Sequence, residues 1–69
     1  MRQVSPREAR KGQFLQSFDL GDFDQMLDQC TKFEKAMKRN KVEGEVVYAR
    51  IKHGKYEHNE TWQIYLIRK

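Results

Sequence analysis

The sequence predicts an α+β fold: a short N-terminal helical turn, then β-α-β-β, with one long amphipathic helix packed on a three-stranded sheet. Three features of the chain lead there. Phe23, Met26, Leu27, Cys30, Phe33 and Met37 step by three or four residues and so share one stripe of a helix. The stretches EGEVVYARIK and TWQIYLIRK are rich in β-branched and aromatic residues, the composition of strands. A hairpin of those two strands alone is marginal and narrow for the helix's apolar stripe, so QFLQSFD becomes a third strand.

The elements follow in order. Ser5-Pro6-Arg7-Glu8 combines a serine cap, proline at the first helical position and glutamate at the third. A helix starting there could run on through Phe18, since Phe14, Leu15 and Phe18 suit helical spacing, but Lys11-Gly12 reads equally well as its end. The second is favoured, leaving 1–12 as a basic N-terminal arm or short helix and 13–69 as a single α+β domain. In QFLQSFD, Phe14 and Phe18 are assigned to one face. The long helix starts at Asp19 if Phe18 and Phe23 form a hydrophobic staple; Asp22, with Gln25 as its box partner, is the alternative cap. Asp22, Asp24 and Asp28 near its start and Lys32, Lys35, Lys38 and Arg39 near its end complement the helix dipole.

In EGEVVYARIK Val47, Ala49 and Ile51 are assigned inward, together with Trp62, Ile64 and Leu66 of TWQIYLIRK. The chain reverses at His53-Gly54 or near His58-Asn59; the second is favoured, with Lys55 and Tyr56 prolonging the strand. The expected core is then Phe14, Phe18, Phe23, Met26, Leu27, Cys30, Phe33, Met37, Val47, Ile51, Trp62, Ile64 and Leu66.

Sixty-nine residues hold one domain, and Cys30 is the single cysteine, so neither a disulfide nor a cysteine-built zinc site can staple it. Fourteen Lys and Arg stand against ten Asp and Glu, net +4, in blocks: +3 over 1–12, −4 over 13–28, +4 over 29–42, −1 over 43–60 and +2 over 61–69. Such polarity suits electrostatic steering of a partner. No apolar run follows the basic N-terminus as in a signal peptide, and none reaches the roughly 20 residues of a bilayer span. The expectation is a soluble, cytoplasmic protein.

Chemistry finds little support. His53, His58 and Cys30 do not make a converging ligand set, and Asp19, Asp22, Asp24 and Asp28 are explained by the helix dipole. Ser5 and Ser17 lack nucleophile-elbow glycines, and Gly12, Gly21, Gly44 and Gly54 are scattered singly rather than forming a phosphate loop. No enzyme activity, metal or cofactor is expected.

The outer sheet face is the candidate site. With Val47, Ala49 and Ile51 inward, it presents Tyr48, Arg50, Lys52, Gln63 and Tyr65, and Arg2, Arg7, Arg10 and Lys11 on the arm extend it. Two uses compete. The first is a protein partner docked on the face or added at a sheet edge, the mode of an accessory regulator or inhibitor such as phages and plasmids encode. The second is a nucleic acid, its bases stacked on the tyrosines and its phosphates met by the cations. The uncovered face with Val46, Tyr48, Tyr65 and Ile67 also predicts a symmetric homodimer, against a monomer whose patch is reserved for a larger partner.

Overall fold

The computed structural model describes residues 1–55 and 59–69. It contains β1 (Arg2–Gln3), α1 (Pro6–Ala9), β2 (Gln13–Asp19), a 3₁₀ turn (Leu20–Asp22), α2 (Phe23–Arg39), β3 (Glu45–Lys52) and β4 (Glu60–Ile67). The fold is α+β, with one long helix and a sheet in the order β1-β3-β4-β2. β4, last in the chain, lies between β3 and β2 and is antiparallel to both. The fourth strand is the two-residue β1, parallel to β3, with Val4 N–H extending the ladder to Tyr48 O at 2.9 Å.

α1 forms where its caps place it. Ser5 Oγ accepts the Glu8 amide at 3.2 Å, and Pro6 occupies the first turn. The short helix is no free arm: Ala9 is fully buried and Val4 nearly so, packed with Val47, Ala49, Ile51 and Tyr65. The sheet therefore has two covered faces, and the exposed patch that predicted a homodimer is absent. Val46 and Tyr65 are buried, Tyr48 and Ile67 half-buried.

Cross-strand register overturns the assignment of β3. Val46, Tyr48 and Arg50 stand opposite Leu66, Ile64 and Trp62, while Val47, Ala49 and Ile51 stand opposite Tyr65, Gln63 and Thr61. Directly opposed residues share a face. Val46 and Tyr48 thus join Ile64 and Trp62 under α2, where Met26, Cys30, Phe23 and Phe33 meet them; Val47, Ala49 and Ile51 face α1.

Phe14 is a second correction. A bulge between Phe14 and Gln16 sets Phe14 opposite Tyr65 but Gln16 opposite Ile64, so the alternation breaks. Phe18 and Leu15 pack under α2, whereas Phe14 is 51% exposed with its ring edge-on to Tyr65 at 5.6 Å. Asp19 caps the 3₁₀ turn and Asp22 precedes α2, neither with a side-chain capping bond, although Phe18 and Phe23 do share the cluster below the helix. β3 ends at Lys52, so Lys55 does not prolong it; His53 N–H bonds Asn59 O at 2.7 Å, and Gly54 takes φ 73° in the connection. The expectations for Tyr56 and His58 lie outside the described residues.

Cys30 is fully buried, its thiol 3.6 Å from Met26 Sδ. Burial pushes that thiol up to about 11, with Glu34 adding to the rise. The thiolate is the reactive form. Labelling of the folded protein at pH 8 is accordingly expected to be slow and to become fast in denaturant; rapid labelling of the native state would contradict this burial.

Two glycines are fixed by close approach to the end of β4. A Cβ on Gly12 would lie 2.5 Å from Leu66 O, and one on Gly44, at φ 150°, 2.7 Å from Ile67 O. Gly12→Ala forces backbone apart and should cost about 1–3 kcal/mol, the scale of overpacking. Gly21→Ala meets nothing within 4 Å and should be close to neutral. Urea midpoints of the two variants measure the difference.

Candidate functional site

The structure distributes the nine sequence-predicted site residues over both faces. Tyr48, Arg50 and Lys52 lie on the α2 side and Gln63 and Tyr65 on the α1 side, by the same register that sorts the core. Tyr48 is half-buried in a three-ring cluster, 6.0 Å from Phe23 and 5.9 Å from Trp62. Tyr65 is 9% exposed and its hydroxyl donates to Gln63 Oε1 at 2.7 Å. A joint stacking platform of tyrosines and cations is not assembled.

The cations divide too. Arg2 binds Glu45 through Nε at 2.9 Å and Nη2 at 3.1 Å, and reaches Glu8 at 3.2 Å, tying β1, β3 and α1 together. Those hydrogen bonds hold the Glu45 carboxyl below the usual carboxylate range and push Arg2 higher. Arg50 pairs with Glu60. Arg7, Arg10, Lys11 and Lys52 are solvent-exposed.

What the fold does assemble lies at one end and one edge. Among the described residues, β2 closes one side of the sheet with no strand on its outer flank. Its sequence, QFLQSFD, has no Lys, Arg or Pro, the residues that usually blunt an edge. The bulge perturbs its first half only; Gln16 to Asp19 keep regular pairing with Ile64 to Thr61. At the other edge, the part of β3 beyond β1 carries Arg50 and Lys52.

Where β2 begins, α2 ends and β4 ends, an open cleft of about 190 Å³ is lined by Leu15, Phe33, Ala36, Met37, Val42 and Leu66. Gln13, Asn40 and Arg68 complete its wall. Phe33, Ala36 and Met37 are one stripe of α2, followed by its C-cap Asn40, and the small Ala36 leaves the stripe short of filling the space. Among the described residues no three His, Cys, Asp or Glu side chains converge as metal ligands, and no helix is long and apolar enough to cross a membrane.

The cleft was invisible at the level of sequence. Lys35, Lys38 and Arg39 read as complements of the helix dipole, and Arg68 carried no reading of its own. Only β4's central position brings Arg68 beside Asn40 and Gln13. The available signal was the pair of basic blocks over 29–42 and 61–69, which carried no information about their meeting.

The Arg2–Glu45 pair makes one acid-range expectation. A depressed carboxyl stabilises the fold fully above the ordinary glutamate value of 4.5 and loses that contribution as pH falls through the lower folded value. Arg2→Gln should therefore flatten the fall in urea midpoint below that pH while lowering the midpoint slightly at neutral pH. An unchanged acid profile would show that the pair contributes nothing. Comparison of the chain with protein families, with curated proteins and with solved structures finds no match, so its use has to be argued from this geometry.

Proposed function

We propose that this chain is a small non-enzymatic interaction protein that binds a protein partner by strand addition at β2, acting as an accessory regulator or inhibitor. The observation that carries the reading is the contrast between the two sheet edges: β1 and the cations Arg50 and Lys52 guard one, whereas among the described residues β2 is protected only by a bulge in its first half and by Asp19 at its end. Strand addition draws its affinity from main-chain hydrogen bonds, which a bare edge supplies, and its selectivity from side chains beside the edge. Phe14 stands there, half-exposed, at the margin of the face shared by Tyr65.

A nucleic-acid partner is the second reading, favoured by the exposed Phe14 ring close in sequence to Arg10 and Lys11. It is weaker because Tyr48 and Tyr65 are engaged in the fold's own contacts.

The two readings separate in one experiment. The chain is recovered from its native cells with and without nuclease, and amide exchange is followed in the recovered complex. A protein partner that survives nuclease and slows exchange within 13–19 is the expected result. Loss of the partner on nuclease treatment, or protection confined to α1 and its exit, would favour nucleic acid.

A further inference from the structure

The cleft at the basic end adjoins the β2 edge, and the two share residues. Gln13 and Leu15 belong to β2 and also line the cleft. Neighbouring strands lie about 4.8 Å apart. A strand added outside β2 therefore runs beside the cleft, and a side chain near its Gln13 end, directed to the α2 side, reaches the opening.

Size limits what enters. At about 190 Å³ the cleft is smaller than the 300–1,000 Å³ usual for small-molecule sites, and suits one large aliphatic or aromatic side chain. Its lining favours an apolar group, since Leu15, Phe33, Ala36, Met37, Val42 and Leu66 make up most of it, against the polar side chains of Gln13, Asn40 and Arg68. A polar side chain set against the apolar residues would lose water there without a matching hydrogen bond.

Charge selects what flanks that group. Arg68 stands in the cleft wall; Arg39 and Lys41 flank Asn40, and Lys69 follows Arg68. Lys11 precedes Gly12, which lies against Leu66 and Ile67. The acids nearby are Glu43, next to Val42; Glu34, which lines the adjoining cleft with Lys38 and accepts the Met1 amino group at 2.8 Å; and Glu45, opposite Ile67 and within reach of Lys69 but bound by Arg2. The balance is positive. At the far end of β2 the sign reverses, with Asp19, Asp22 and Asp24.

We infer that the partner presents an extended segment whose large apolar residue fills this cleft, with Asp or Glu beside it and none at the end lying over Asp19 and Asp22. The inference rests on β2 as the docking edge and adds the chemistry of what docks. The cleft anchors the segment, the basic rim draws its acidic end, and the acidic start of α2 rejects the reverse orientation. Polarity of this kind fixes register as well as partner choice.

The probe is a displayed library of random 12-residue peptides, selected on the full chain. Selected peptides should converge on an apolar residue flanked by acids, and should slow amide exchange within 13–19. Ala36→Phe, which fills the cleft, and Arg68→Glu with Lys41→Glu should each weaken their binding by about tenfold or more. Arg7→Glu, the same charge change on α1, should leave it unchanged. Thermal melts check that each variant is folded, and if Ala36→Phe is not, the rim variants decide. Peptides that protect 13–19 yet ignore the cleft and rim variants would keep the docking edge and overturn the anchor. Peptides that need the cleft but leave 13–19 exchanging freely would overturn the edge, and this inference with it. Convergence on basic sequences, no convergence, or a dimer of this chain occupying the edge would overturn the proposal.

Discussion

Everything in this fold depends on β4 being buried on both faces. Ile64, Tyr65 and Leu66 are three consecutive buried residues, and a strand can bury consecutive side chains only between two covering layers. α2 supplies one layer; Ala9 of α1, with Val4 just after β1, supplies part of the other. The antiparallel register with β3 then sorts every residue of the hairpin to one layer or the other. A shift of one residue would exchange the two sets and place each against the layer shaped for the other. The two-residue β1 and the Arg2 bridge to Glu8 and Glu45 fasten the second layer in place.

Much of this was legible in the sequence, and the failures have a common cause. The helix stripe from Phe23 to Met37 needed only local periodicity, and the strand over QFLQSFD also needed the width that a two-stranded hairpin lacks; both stand where they were placed. The facing of β3 failed because Val46 and Val47 are both apolar, so alternation does not say which side is inward; a strand with two buried faces erases that signal. The second layer was missed because Ala9 is one small apolar residue in a basic stretch, and its weight comes entirely from where it lands. Phe14 was misplaced by a bulge that leaves no mark in composition.

The candidate site was less legible than the fold. Tyr48, Arg50, Lys52, Gln63 and Tyr65 were grouped by a face assignment that register dissolves. The features that replace them, a bare edge and a cleft beside it, are products of strand order. Leu15, Ala36, Val42 and Arg68 are far apart in the chain, and each has an ordinary local reason to be what it is. Charge blocks announced polarity, but the meeting of two positive blocks at one end follows from β4 running back between β2 and β3.

The strand order also dictates how the chain can be made. β2 pairs only with β4, so its first partner atoms lie more than forty residues further along, while β3 and β4 close a local hairpin. During synthesis β2 and the apolar stripe of α2 leave the ribosome with no sheet to receive them. Closing so long a loop has to precede the contacts that reward it. Until β4 is complete the apolar side chains of QFLQSFD are open to any neighbouring chain, and a ribosome stalled short of Glu60 would hold an adhesive fragment rather than a partial domain.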